Sequence, residues 1–194
     1  MKLHDQLRAY QPFNEQEARD CGRILQYMDA FCDIFSRDNA LCHMTASAWV
    51  VNPARDRVLM AYHNIYQSWA WLGGHADGEC DLLAVALREV REESGVQNVR
   101  PVSEDIYSVE ILTVDGHEKR GQYVSSHLHL NITYLIEAND RDPTFVKPDE
   151  NSGVKWLSRA DALRLPTEPW MVRCVYAKLD QKLEKCPGGC KSCR

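Results

Sequence analysis

Three carboxylates, Glu89, Glu92 and Glu93, fall at i, i+3 and i+4 in the run Arg88-Glu89-Val90-Arg91-Glu92-Glu93-Ser94-Gly95. On a helix, at about 100° per residue, they share one sector, beside rather than on the apolar stripe Leu83, Leu87 and Val90. Hard oxygen donors on a rigid element suit Mg²⁺ or Mn²⁺, which take few protein carboxylates and complete their shells with water and phosphate oxygens. Carboxylates this close also repel each other unless a cation intervenes. The plainer reading is a solvated helix face on which Arg88 pairs with Glu92 at i+4, and charged faces of that kind are common. The surroundings favour the chemical reading. Gly74 lies fourteen residues before Arg88, directly after Gly73, and Gly95-Val96 closes the helix two residues past Glu93.

Other residues have chemical and plain readings side by side. His127 and His129 alternate on one strand face and are within reach of a phosphate or metal, but such pairs also occur on half-exposed strands. Trp69 and Trp71 offer stacking surfaces for a nucleobase, although large aromatics near a glycine bend usually pack the core or its rim. Glu150 lies in a loop that is able to supply an extra carboxylate. Cys186, Cys190 and Cys193 are three cysteines where a zinc site needs four ligands, so an unligated tail is the simpler expectation.

The elements that position these residues are readable from pattern. A short helix over 3–10 stops at Gln11-Pro12, and Asn14 with Glu17 resembles a capping box opening a helix to about Phe35. Its stripe is Ile24, Leu25, Met28, Phe31, Cys32 and Phe35. Strands are predicted over 44–51 and 57–62 as a hairpin, then over 106–114, 123–137 and 154–157. The acidic helix spans 81–94 with Gly95 as its C-cap. Ser158 caps a helix over 159–163, and a last helix covers 170–183.

The net charge of −5 and pI near 5.8 argue against nonspecific binding to a nucleic-acid polymer or an anionic membrane, which needs a basic stripe. No apolar run approaches the roughly 18 residues that cross a bilayer, and the first residues lack the apolar core of a secretory signal, so a cytoplasmic location is expected. Five of the eight cysteines sit in apolar or helical contexts, where a free thiol behaves as a small buried hydrophobe, and a reducing compartment fits.

The segment from Gly74 to Val96 resembles the Nudix box, G-x5-E-x7-R-E-U-x-E-E-x-G-U with U aliphatic, and the resemblance extends in organisation over about residues 42 to 183. The box departs at one place: its first glutamate falls on Cys80, with Glu79 one residue early. Either Glu79 serves Arg88, or Arg88 is held by another group. Leu72 stands where a proline commonly precedes the glycine pair.

The resemblance implies an α/β/α sandwich with a mixed β-sheet. It implies that Glu89, Glu92 and Glu93 bind Mg²⁺ or Mn²⁺, with the Gly73 carbonyl as a further ligand and Arg88 orienting the carboxylates. Glu93 is the first choice of general base and Glu150 the second. The expected organisation is an N-terminal helical extension over 1–40 packed on the core, a Nudix hydrolase domain over 41–184 and a flexible Cys-rich tail over 185–194. The expected activity is cleavage of a phosphoanhydride in a small phosphorylated metabolite. A nucleoside diphosphate linked to another group is favoured, as in ADP-ribose, a nucleotide sugar or a nucleoside triphosphate. One rival is a nucleotide sensor of the same fold, which tends to lose box carboxylates that are all present here. The other is isopentenyl-diphosphate isomerase, similar around His43 and Gly74-His75 but needing a cysteine where this chain has Gly73. The N-terminal helices are candidates for a substrate cap or a homodimer contact.

Overall fold

The computed structural model describes residues 2–119 and 121–185. Two helices lead, α1 (Leu3–Ala9) and α2 (Glu15–Ala30). Asn14 caps α2 by accepting from the Glu17 amide at 3.0 Å. Only half of the expected capping box forms, because the Glu17 carboxylate turns away to accept from Phe13 N and the Tyr10 hydroxyl. The helix closes at Ala30, short of the expected Phe35, since Phe31 is extended at φ −123° and ψ 116°. The chain beyond still packs inward: Ile34 is buried and Phe35 joins the same cluster, whereas Cys32 faces solvent.

The predicted hairpin forms from β1 (Cys42–Val51) and β2 (Arg57–His63), with Val50 opposite Leu59. Then come β3 (Ser68–Ala70), β4 (Leu72–His75), α3 (Leu82–Ser94), β5 (Val99–Pro101), β6 (Ser108–Val114), β7 (His117–Lys119) and β8 (Gln122–Val124). The chain continues through β9 (His127–Ala138), β10 (Asn151–Ser158), α4 (Arg159–Arg164), a π-helical segment (Met171–Tyr176) and α5 (Ala177–Lys185). The single strand expected over 123–137 is therefore two, and the last helix begins with a wide π turn.

The main sheet runs β10-β2-β1-β9-β5, with β3 on β2, β4 on β1 and β6 on β9. It is mixed, because β1 and β9 run parallel while the other pairs are antiparallel. β1 is buried along its whole length, and its alternate residues serve two cores. Met44, Ala46, Ala48 and Val50 pack with Leu82, Val85, Ala86 and Val90 of α3, in a cluster that also takes Leu7, Cys21 and Ile24 of the leading helices. Trp49 and Val51 point the other way, towards Val175, Tyr176, Leu179 and Leu183. Helices thus cover both faces of the sheet, the α/β/α sandwich expected from the sequence.

The N-terminal helices are also held by buried charge. Glu17 is fully buried, and Lys182 and Lys178 stand 2.8 and 3.3 Å from it, while Lys178 also reaches Glu110 of β6 at 2.9 Å. Of the scattered cysteines only Cys21 and Cys42 are buried; Cys80 is exposed like Cys32, and Cys174 is intermediate. Residues 186–194, with the three tail cysteines, lie outside the described residues. Among the described residues no helix is long and apolar enough to cross a membrane.

Candidate active site

The site is assembled where β4 runs beneath α3. Asp81 opens that helix by accepting from the Ala84 amide at 3.1 Å, and Gly95 closes it in the left-handed region at φ 76°. Glu89 and Glu93 lie on the buried face with Leu82, Val85, Ala86 and Val90, whereas Leu83 and Leu87 are only partly buried. The expected sector beside the stripe is therefore corrected: two of the three carboxylates are in the packed face itself.

The glycine pair makes this burial feasible. β4 pairs with β1, Gly74 opposite Ala46 and Gly73 opposite Ser47. A Cβ on Gly74 would lie 2.5 Å from the Glu89 carboxyl carbon and 2.7 Å from each of its oxygens; one on Gly73 would lie 2.5 Å from the Ala46 carbonyl oxygen. The Gly73 amide donates to Glu93 Oε2 at 3.2 Å. Behind Glu93, Asn151 of β10 donates to its backbone carbonyl at 2.9 Å, tying the sheet edge to the end of the helix.

Glu92 is half-exposed. Arg88 Nε stands 3.8 Å from it and Lys147 Nζ 3.5 Å, and Lys147 also pairs with Glu150 at 3.0 Å. One lysine thus links the box to the loop carboxylate singled out from sequence. Arg88 donates to Glu89 Oε1 at 2.9 Å and to the His75 carbonyl at 3.4 Å. Glu79 instead accepts from the Asp81 amide at 2.8 Å, and the Cys80 thiol is exposed 3.9 Å from the Gly78 carbonyl. The group that holds Arg88 is therefore Glu89, supported by a backbone carbonyl.

Burial pushes the Glu93 carboxyl well above the usual carboxylate range; the neighbouring Glu89 charge pushes it further, and the Gly73 amide works against both. Burial likewise raises Glu89, opposed by the hydrogen bond from Arg88. Two buried carboxylates in conflict, with hard oxygen donors and a half-exposed third beside them, fit a divalent cation of the magnesium type.

The aromatic candidates turn inward. Trp71 meets the Tyr176 ring edge-on at 5.8 Å, and Trp69 meets Tyr62 at 5.6 Å, both at the margin of the second core. The two histidines have a different setting. His127 and His129 share their strand face with Asn131 and Thr133, and the parallel register sets His129 beside His43 and Asn131 beside Thr45. His75 of β4 completes the group: the rings of His43, His75 and His129 have centroids 4.8 to 5.1 Å apart, and His127 lies 4.9 and 5.0 Å from His43 and His129. Burial, then the neighbouring imidazoles, push His129 down to about 2, and burial lowers His43. This four-histidine convergence is not readable from spacing along the chain.

The polar face continues inward. Thr45 and Ser47 donate to Asn131 Oδ1 at 3.0 and 2.9 Å, and Asn131 donates to Glu110 Oε2 at 3.0 Å. A hydrogen-bonded ladder thereby runs from Thr45 and Ser47 to the buried Glu110, and through Lys178 to Glu17.

The family model of the NUDIX domain matches residues 42–178, and the chain belongs to that family. By class it is a Nudix pyrophosphohydrolase, acting on acid anhydrides. Its fold is similar to that of the Ap4A hydrolase of C. elegans, solved as a binary complex, at 20% identity over 73% of this chain and 95% of that one, with a TM-score of 0.53. It is also similar to the dihydroneopterin triphosphate pyrophosphohydrolase of E. coli, at 16% identity over 73% and 95%, with a TM-score of 0.52. No curated protein matched.

Proposed function

We propose that this chain hydrolyses a phosphoanhydride in a nucleoside diphosphate linked to another group, such as ADP-ribose, a nucleotide sugar or a nucleoside triphosphate. Glu89, Glu92 and Glu93, with the Gly73 carbonyl, would hold Mg²⁺ or Mn²⁺. The observation that carries the reading is the seating of Glu89 and Glu93 against Gly74 and the Gly73 amide, with Glu92 half-exposed beside them. When bound, the ion supplies charge neutralisation on phosphate oxygens and acidification of water.

The chain's own residues supply position and proton transfer. Arg88 fixes the Glu89 carboxylate and stands beside Glu92. Glu93, with one oxygen held by the Gly73 amide, is the proton acceptor, and Glu150 is the second candidate. Lys147, between Glu92 and Glu150, adds positive charge where a phosphate would enter. A small phosphorylated metabolite, a cytoplasmic setting and a homodimer through the N-terminal helices belong to the same reading.

The test is incubation of purified protein with Mg²⁺ or Mn²⁺ and a panel of nucleoside triphosphates, ADP-ribose, nucleotide sugars and dinucleotide polyphosphates. Metal-dependent release of a monophosphate or pyrophosphate is expected, reduced roughly 10²–10⁴-fold in Glu93→Gln and also reduced in Glu92→Gln. Nucleotide binding without turnover in any arm would replace the hydrolase by a sensor.

A further inference from the structure

Four imidazoles converge on one sheet face outside the carboxylate set. His43, His75 and His129 come from the adjacent strands β1, β4 and β9, and their ligand nitrogens all lie within 4.8 Å of one another. His127, two residues before His129 on the same face, brings its Nε2 to 3.2 Å from His129 Nε2.

The hydrogen bonds around the cluster set the tautomers. His43 Nδ1 lies 3.1 Å from the Asn39 carbonyl and His127 Nδ1 lies 2.8 Å from the Ser125 carbonyl, so each Nδ1 carries the proton and each Nε2 keeps its lone pair. A backbone carbonyl behind the distal nitrogen is the usual outer support of a metal-binding histidine. His43 is 4% exposed, and its Nε2 makes no hydrogen bond. A buried acceptor without a partner is unfavourable and is seldom left so. A bond between His127 and His129 alone would explain their contact but leave His43 unsatisfied. An ion takes the His43 lone pair as well.

We propose that His43, His75 and His129, with His127 as fourth ligand, form a binding site for a divalent cation of the zinc type, separate from the magnesium-type carboxylate set. Uncharged imidazoles suit Zn²⁺ and its neighbours in the transition series, whereas Mg²⁺ demands oxygen. Tetrahedral Zn²⁺ with Zn–N bonds of about 2.0–2.1 Å has nitrogen–nitrogen edges of about 3.3 Å. The His127–His129 separation of 3.2 Å already has that length, while the nitrogens of His43, His75 and His129, within 4.8 Å of one another, would draw in by up to about 1.5 Å to reach it. Because His75 follows the glycine pair and its carbonyl takes the Arg88 guanidinium, the ion would clasp β1, β4 and β9 together beside the box. The inference stands on geometry of its own and survives if the hydrolase reading fails.

The test titrates Zn²⁺, and Co²⁺ as its visible-absorbing substitute, into the metal-free full-length chain. With Mg²⁺ in excess to fill the carboxylate set, one Zn²⁺ or Co²⁺ per chain is expected, with the four-coordinate Co²⁺ spectrum and Zn²⁺-induced shifts of the imidazole ¹⁵N resonances of His43, His75 and His129. His75→Ala and His129→Ala should each weaken binding by at least about 100-fold, beyond the roughly 10–100-fold of an outer-shell loss. The Glu92→Gln chain and the chain carrying Cys186→Ser, Cys190→Ser and Cys193→Ser should bind as before. A folded wild-type chain that takes up no Zn²⁺ overturns the site. So does uptake that leaves the imidazole resonances unmoved or disappears with the tail cysteines. The resonance readout needs no substitution, so a histidine variant that misfolds does not blunt the test.

Discussion

The Glu89 carboxylate occupies the space in which a side chain on Gly74 would begin, with both oxygens 2.7 Å from that Cβ position. The glycine is therefore part of the carboxylate's seat. In Gly74→Ala the obstruction is the far end of a flexible side chain, so Glu89 shifts and stability changes by under about 1 kcal/mol, while turnover falls on the order of 100-fold, the effect of an ångström of misplacement. Gly73→Ala meets backbone, the Ala46 carbonyl and the Ser47 Cα at 2.5 and 2.7 Å. It should lower unfolding stability by about 1–3 kcal/mol as an overpacked site. Urea unfolding and initial rates on the two variants separate a positional effect from a structural one.

How far the site is legible in sequence depends on how local its parts are. The box is a continuous segment, so its glycines, its acidic helix and the Gly95 stop can be read directly, whereas Asp81, expected as the first helical residue, is the cap. The hairpin and the strand faces follow from alternation. What alternation does not give is which strands lie side by side. His43 meets His129 only because β1 and β9 pair in parallel across more than eighty residues, and His75 joins through a second pairing. Glu17, an ordinary capping-box residue by its spacing, is the buried centre of an ion-pair network because α5 brings Lys178 and Lys182 to it from the far end of the chain. The inward turn of Glu89 and Glu93 was hidden because it depends on β4 glycines packing under the helix rather than on helical periodicity.

Glu17 makes acid sensitivity a property of the N-terminal helices. Burial alone would raise its pKa, but hydrogen bonds from Lys182, Tyr10 and the Phe13 amide outweigh it and bring the carboxyl from the usual 4.5 down to about 2. A depressed carboxyl stabilises the fold fully above pH 4.5, and that stabilisation is lost as pH falls from 4.5 towards about 2, an amount on the order of 3 kcal/mol. Glu17→Gln leaves Lys178 and Lys182 short of their partner and should lower stability at pH 7 by about 3–5 kcal/mol. Its urea midpoint should then fall less than that of the wild type between pH 5 and 3.

Arg37 ties the segment before β1 to the loop of the box. Its guanidinium forks onto both oxygens of Asp77, Nε reaching Oδ1 at 2.5 Å, and holds that carboxyl below its usual range. Asp77 and Gly78 both have positive φ, 50° and 91°, and the Gly78 amide donates to the Phe35 carbonyl at 2.9 Å. Both charged partners are partly exposed, so the pair itself contributes no more than about 1 kcal/mol. Arg37→Ala should barely move the melting temperature yet speed hydrogen exchange at the Gly78 amide. Arg37→Lys should not restore protection, since an ammonium does not reproduce the two-pronged contact.

Cys80 stands at the one box position that departs from pattern, and the structure indicates what restoring a glutamate there would do. The thiol is exposed, 3.9 Å from the Gly78 carbonyl, while Arg88 is already engaged by Glu89 at 2.9 Å and by the His75 carbonyl. A glutamate at 80 would meet a guanidinium whose hold on Glu89 and the His75 carbonyl already comes from one nitrogen, so it would add a contact to an arginine that is fixed without it. Cys80→Glu should therefore change stability by no more than about 0.5 kcal/mol and turnover by roughly twofold or less. Arg88→Gln, by contrast, removes the group that fixes Glu89 and should reduce turnover much further. Side-by-side rates for the two variants decide whether Glu89 has taken over the support of Arg88; a large gain from Cys80→Glu would mean that it has not.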